Sequence, residues 1–433
     1  MILSPNQTLK AYDSKTSWQV RRLLGSGGQG EVYQVSDGAS ELALKWYYHE
    51  QATDAQLNLL RELVRRGPPS DRFLWPLDLV STARSPDYGY LMPLREPRFK
   101  GIVDLMKRRA EPSFRALCTA CFELAHHYML LHSKGLSYRD ISFGNVFFDP
   151  ASGEIRICDN DNVTVNGEIA GGVAGTPRFM APEIVRGQAK ASTETDLFSL
   201  AVLLFYMLFM HHPLEGAREA AIRCLDLPAM NKLYGSEPLF IFDPNDQSNR
   251  PVPGYQDNPL LYWPIYPQFL RDLFTRAFTE GLDASRRVRE NEWRKALVRL
   301  RDSIIYGPTG AENFYDPHKL QSAQQHVCWA TGQPIALPPR LKIGDLVILL
   351  NADTTLAPHH IDGNSSYDFS RVVGRVIRHP SDPSIWGLKN ESDAAWHYAA
   401  ADGQLTAVEP GRSVTIKPEL TINFGATQGE IRI

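Results

Sequence analysis

The chain has 433 residues, enough for two to three domains at about 100–200 residues each. Apolar residues make up 43% and charged residues 22%, and 46 Lys plus Arg stand against 49 Asp plus Glu for a formal net charge of −3. That balance excludes an overall basic nucleic-acid binder and leaves no strong field of either sign. The five cysteines (Cys118, Cys121, Cys158, Cys224, Cys328) are few and odd in number, so no disulfide framework is implied and a reducing, cytoplasmic setting is expected.

The opening residues contain Pro5, Asn6 and Gln7, which leaves no apolar signal core. Residues 1–17 are polar and read as a short tail. From Trp18 to Tyr48 three strand-like runs (WQVRRLL, EVYQV, ELALKWYY) are separated by Gly25–Gly30 and Ser36-Asp37-Gly38, the pattern of hairpins. Leu57, Leu60 and Val64 fall on one helical face, and Gly67-Pro68-Pro69 ends that helix. Two more strand-like runs, WPLDLV and YGYLMPL, follow. After Ser113 helical patterns dominate, at 114–134, about 194–210, 217–225, 267–280 and 290–302. The run Leu197–Met210 is the longest apolar stretch; at fourteen residues it is short of the roughly 20 that span a bilayer, so a buried core helix and no membrane partner are expected. Strands first and helices later predict a small β-rich lobe followed by a larger α-rich lobe. Residues 306–340 read as a linker rich in Pro and Gly. Over 341–433 short apolar runs (LVILL, VVGRVI, SVTIK, LTINFG) alternate with turn residues, which predicts a small all-β, sandwich-like domain.

Four motifs carry chemistry. Gly25-Ser26-Gly27-Gly28-Gln29-Gly30 lies between two strands. Such a hairpin brings backbone N–H groups close to phosphates with no Cβ in the way, although glycines also serve plain turns. Lys45, in Ala43-Leu44-Lys45, offers an ammonium in the next strand. Glu62 in the following helix would fix that ammonium by pairing with it; the alternative is that Glu62 pairs with its neighbours Arg61, Arg65 and Arg66. In Tyr138-Arg139-Asp140-Ile141-Ser142-Phe143-Gly144-Asn145 a carboxylate and an amide stand five apart. The first can accept a hydroxyl proton while the second ligates Mg²⁺. Asp159-Asn160-Asp161-Asn162 follows the strand EIRIC, and a carboxylate at a strand end suits a hard cation. The last two motifs also fit ordinary polar turns.

In this order the motifs resemble the eukaryotic-like (Hanks-type) protein kinase family, in the wording of its bacterial branch. Ala181-Pro182-Glu183 is similar to the end of the activation segment, after Gly175-Thr176-Pro177. Asp196 matches the aspartate that anchors the catalytic loop, and Arg287 the arginine that pairs with Glu183. The similarity covers roughly residues 18–305. It implies a two-lobed α+β fold with ATP between the lobes, bound by Gly25, Gly27, Gly28, Gly30, Val32, Ala43 and Lys45. Lys45 would lie on the α and β phosphates and be oriented by Glu62. Asn145 and Asp159 would hold Mg²⁺ (or Mn²⁺), Asp140 would orient the substrate hydroxyl and take its proton, and Thr176 would contact Asp140. Arg139 would pair with a phosphorylated segment residue, for which Thr164 is the candidate. The sequence departs from the family at Tyr138 (usually His), Ser142 (usually Lys) and Asn160-Asp161 (usually Phe-Gly). Asp161 could add a carboxylate near the metals, but it is read as facing solvent.

Residues 341–433 loosely resemble a forkhead-associated (FHA) domain, with Leu341-Lys342-Ile343-Gly344 as opening strand and His360 as loop histidine. Asp345 and Ala357 replace the Arg and Ser that bind phosphate there. His326, Cys328, His359 and His360 lack zinc-ligand spacing, and Cys118 and Cys121 fall inside a helix; all are read as packing residues. The resemblance implies a serine/threonine protein kinase with protein substrates, itself included, and a C-terminal partner-binding domain. A metal-dependent phosphatase and a von Willebrand-type domain protein are the cognate partners it suggests. The alternative is a nucleotide-binding pseudokinase scaffold.

Overall fold

The computed structural model describes residues 2–82, 85–167, 175–322, 324–364, 367–399 and 404–433. Strands β1 (Thr8–Ala11), β2 (Ser17–Ser26), β3 (Gly30–Ser36), β4 (Glu41–Tyr47), β5 (Asp78–Thr82) and β6 (Ser85–Pro93) form a closed antiparallel barrel in the order β1-β2-β3-β4-β6-β5. Part of the polar tail expected over 1–17 is therefore a strand. Leu9 and Ala11 of β1 are buried, and Lys10 pairs with Ser17 on one side and Ser81 on the other. Closure leaves no unpaired edge.

Helix α1 (Asp54–Arg66) starts where the Thr53 hydroxyl accepts the Gln56 amide and ends at Gly67, whose φ of 69° suits glycine. It buries Leu60 and Leu63. Leu60 packs with Ala43, Tyr47, Leu79, Tyr90 and Met92, which alternate along their strands with the barrel's inward Leu44, Trp46 and Leu91, so the outward face of the barrel fixes the helix.

The second lobe begins with β7 (Lys100–Gly101) and the helices α2 (Ile102–Met106) and α3 (Phe114–Ser133). Short strands β8 (Leu136–Ser137), β9 (Val146–Phe148), β10 (Ile155–Ile157) and β11 (Thr164–Val165) follow, paired β10-β9-β7 and β11-β8. After α4 (Pro182–Val185) comes α5 (Thr193–Phe209), which is buried on every face from Thr195 to Phe209. The apolar run is thus a core helix. Cys118 and Cys121 are likewise buried in α3. Among the described residues no helix is long and apolar enough to cross a membrane.

Contacts divide the chain into one unit of Met1–Trp263 with Asp272–Arg294 and a second of Pro264–Arg271 with Lys295–Ile433. In the second unit, a six-stranded sheet runs Leu346–Leu349, Arg340–Ile343, Gln428–Arg432, Thr421–Asn423, Trp396–Ala399 and Leu405–Val408. A four-stranded sheet runs Thr355–Leu356, Gly374–Arg378, Trp386–Asn390 and Ser413–Thr415. Their alternating apolar positions (Leu341, Ile348, Leu356, Val376, Leu388, Trp396, Ile422, Ile431) share one core, a β-sandwich. The expected linker is structured. Ile304–Tyr306 pairs with Glu312–Phe314, and Ile305, Tyr315, Cys328, Ile335 and Leu349 make a cluster of their own.

Candidate active site

β2 and β3 are joined by the glycine-rich hairpin, where Gly25 pairs with Val32 and the Gly27 amide donates to the Gly30 carbonyl at 2.9 Å. A Cβ on Gly30 would collide with the Trp46 carbonyl, whereas Gly25, Gly27 and Gly28 face open space. Gly30 thus serves the approach of β3 to β4, and the other three leave room for a ligand. Gly30→Ala is expected to lower stability by roughly 1–3 kcal/mol as the strands move apart. An unchanged urea midpoint would remove that reading.

Beneath the hairpin lies a cavity of about 690 Å³, and Gly25, Gly27, Gly28, Gly30, Val32, Ala43 and Lys45 all line it. Leu74, Met92, Leu94 and Phe147, which sequence reasoning did not single out, supply much of the apolar wall, and Asp159 supplies a carboxylate. Ala43 pairs with Met92 across β4 and β6, which sets both into the same wall.

Lys45 is buried. Its ammonium donates to Gln29 Oε1 at 2.8 Å and to Asp161 Oδ2 and Oδ1 at 2.9 and 3.1 Å; Asp159 Oδ1 lies 3.6 Å away. Glu62, expected as its helix partner, is elsewhere. It accepts from Arg65 at 2.7 and 2.9 Å and from Arg66 at 2.6 Å, and these arginines hold its carboxyl at about 2. The reason is helical phase: Gln56, Leu60 and Leu63 share one face of α1, and Glu62 is off it. Gln56 Nε2 donates to the Asp161 carbonyl at 3.0 Å and to the Tyr47 hydroxyl at 3.3 Å.

Asp161 corrects a second expectation, because it is 0% exposed instead of facing solvent. Tyr47 and Tyr90 donate to its carboxylate, the latter at 3.2 Å. Burial would raise its carboxyl; the Lys45 ammonium and the Tyr47 hydroxyl outweigh that and hold it below the usual carboxylate range.

In the loop after β8, Asp196 of α5 accepts the Tyr138 and Arg139 amides at 2.6 and 3.0 Å, and Arg139 is left-handed with φ 72°. Asp140 Oδ1 accepts from Thr176 Oγ1 at 2.8 Å, and Oδ2 accepts from Asn145 Nδ2 at 2.9 Å. Asn145 Nδ2 also donates to the Asp140 carbonyl at 2.8 Å, so the amide oxygen is the atom left for a cation. Asp159 follows β10 at φ 48° with its side chain 42% exposed. An amide oxygen and a partly open carboxylate are hard donors that suit Mg²⁺ or Mn²⁺. Tyr138, in place of histidine, is fully buried and donates to the Cys158 carbonyl.

Glu183 Oε1 and Oε2 accept from Arg287 Nη2 at 2.6 and 2.7 Å, which ties down the end of the segment. Thr164 is 2% exposed in β11, and Arg139 Nε donates to the Asn162 carbonyl at 2.6 Å. Burial therefore removes Thr164 as an accessible phosphorylation site. Residues 168–174 of the segment lie outside the described residues.

In the second unit His360 is buried rather than set on a surface loop. Its Nδ1 accepts the Ala357 amide at 2.8 Å, so Nε2 carries the proton and faces Asp302 Oδ2 at 3.3 Å. His359, Asp302 and His360 cluster, but that proton sits on the nitrogen a cation would need, which makes the cluster a packing and hydrogen-bonding feature.

Residues 18–252 match the family described as protein kinase domain. The chain is 30% identical over 217 residues to serine/threonine-protein kinase pkn2 of Myxococcus xanthus, covering 46% of this chain and 25% of that one. It is 28% identical over 220 residues to the DNA damage-responsive serine/threonine-protein kinase RqkA of Deinococcus radiodurans, covering 47% and 31%. With serine/threonine-protein kinase PknD of Chlamydia caviae the figures are 28% over 231 residues, covering 45% and 24%. The chain thus spans about a quarter to a third of the length of these relatives. With a glycine-rich hairpin over the cavity, a buried lysine in its wall, an anchored Asp140 loop and a family match over more than half its length, the chain belongs to the protein kinase family.

Proposed function

We propose that the chain is a serine/threonine protein kinase that uses ATP with Mg²⁺ (or Mn²⁺) and phosphorylates protein hydroxyls, its own included. The observation that carries this reading is the pair of bonds on Asp140, one oxygen held by Thr176 and the other by Asn145. A carboxylate fixed in this way is ready to orient a hydroxyl and accept its proton. ATP supplies the phosphoryl group, and the divalent ion neutralises its charge. Lys45 presents its ammonium to the phosphates from the cavity wall. Asp159 and the Asn145 amide oxygen would hold the ion, and Gly25, Gly27 and Gly28 leave the backbone open to phosphate oxygens. Val32, Ala43, Met92 and Leu94 line the cavity and would exclude water from the adenine of ATP. The Glu183–Arg287 bond steadies the segment that a polypeptide substrate would meet, which favours protein over small-molecule substrates. The sandwich of the second unit serves as a partner-binding module similar to an FHA domain. Exposed Asp345 would repel phosphate, so ordinary phosphothreonine recognition is not part of this reading.

The test is a γ-labelled ATP assay with Mg²⁺ or Mn²⁺ on the full chain, beside Asp140→Ala and Asp159→Ala. Transfer to the chain itself or to a generic protein is expected, reduced at least about 100-fold in both variants. If wild type binds ATP yet transfers no more than the variants, the pseudokinase scaffold, which Ser142 favours, takes its place.

A further inference from the structure

We infer that Asp161 is the positioning residue of Lys45, supplying the carboxylate that the family resemblance assigned to Glu62. This rests on the reading of Lys45 as the phosphate-facing lysine. The Lys45 ammonium has three near acceptors, Gln29 Oε1 and both oxygens of Asp161, all within 3.1 Å. Asp159 is farther, at 3.6 Å, and stays partly open towards the cavity. Glu62 spends both oxygens on Arg65 and Arg66.

Asp161 is built for the task. Its carboxylate is buried and also accepts from the Tyr47 and Tyr90 hydroxyls, and its carbonyl is held by Gln56 of α1. A buried charge persists when it is paired and its remaining lone pairs are satisfied, and here both conditions hold. The carboxylate comes from the 3₁₀ turn Asn160–Asn162, immediately after Asp159. The lysine and the metal-side carboxylate are therefore set by one short turn, while α1 contributes through Gln56. A glycine at this position, as in most of the family, could supply no such group.

The experiment measures kcat and KM for ATP on the full chain with Mg²⁺, in Asp161→Asn, Asp161→Glu, Glu62→Gln and Lys45→Met. Asp161→Asn is expected to lower kcat/KM at least tenfold, Asp161→Glu to recover part of that loss, and Glu62→Gln to stay within twofold of wild type. An Asp161→Asn enzyme within twofold of wild type, or a tenfold loss in Glu62→Gln, overturns the inference. Transfer that survives Lys45→Met overturns the nucleotide reading of Lys45 itself, a separate failure. Because Asp161→Asn leaves a buried ammonium without its counter-charge, unfolding midpoints are compared with those of Lys45→Met/Asp161→Asn. The double variant is expected to regain stability that Asp161→Asn alone loses. Losses that simply add, or a double variant that does not fold, overturn the pairing.

Discussion

Arg287→Met is expected to destabilise the first unit by about 3–5 kcal/mol. The Arg287 side chain is 2% exposed and that of Glu183 16%, so the pair is screened far less than a surface ion pair. Beyond its two bonds to Glu183, Arg287 Nη1 donates to the Glu194 carbonyl at 2.7 Å and Nε to the Gly281 carbonyl at 3.4 Å. One guanidinium thus ties together α4, the first turn of α5 and the 3₁₀ turn Glu280–Leu282. Methionine fills much of the volume but leaves Glu183 without its counter-charge and takes one hydrogen bond from each of the Glu194 and Gly281 carbonyls. Arg287→Lys keeps the charge and loses the planar fork, so it recovers only part of the loss. Urea unfolding of the full chain reads the effect; a loss under about 1 kcal/mol would make this pair no stronger than an exposed one.

Stability of the same unit is also expected to fall by about 3 kcal/mol as pH rises from 6.5 to beyond 9, through His132. Burial lowers the pKa of an imidazolium; here bonds to the Asp196 and Glu290 carboxylates outweigh burial and raise His132 to about 9. His132 Nε2 meets Asp196 Oδ2 at 3.1 Å, and Nδ1 meets Glu290. In the open chain the group titrates near 6.5. A raised folded-state value means that its contribution is complete below pH 6.5 and is lost as pH climbs through about 9. Asp196 also holds the Tyr138 and Arg139 amides, so deprotonation of His132 loosens the support of the Asp140 loop. The measurement is the difference in unfolding free energy between wild type and His132→Gln across pH 6–10. A gap that stays constant with pH would show that the imidazolium contributes nothing.

Much of the architecture was legible locally. The glycine hairpin, the β-rich first lobe, the core helix containing Leu197 and the alternating runs after Leu341 each announce themselves within a few residues, because periodicity and turn chemistry are local properties. Strand β1 was not legible: four residues with two apolar positions carry little periodicity, and the partner strand β5 lies far along the chain. The segment 306–340 has the composition of a linker, yet its sparse apolar residues meet only after the chain has folded.

The candidate site divides in the same way. Order and spacing along the chain determined which side chains are available: Lys45, Asp140, Asn145, Asp159 and Thr176 in a kinase arrangement. Tertiary structure alone decided who partners whom. Glu62 was the carboxylate expected beside Lys45, and Asp161 was expected to face solvent. Helical phase turned Glu62 to the arginines on its own helix, while a 3₁₀ turn carried Asp161 under the barrel to the tyrosine hydroxyls and the ammonium. The physical reason is that a buried charge goes where its hydrogen bonds can be completed, and that set of donors is assembled from β4, β6 and α1 only in the folded protein.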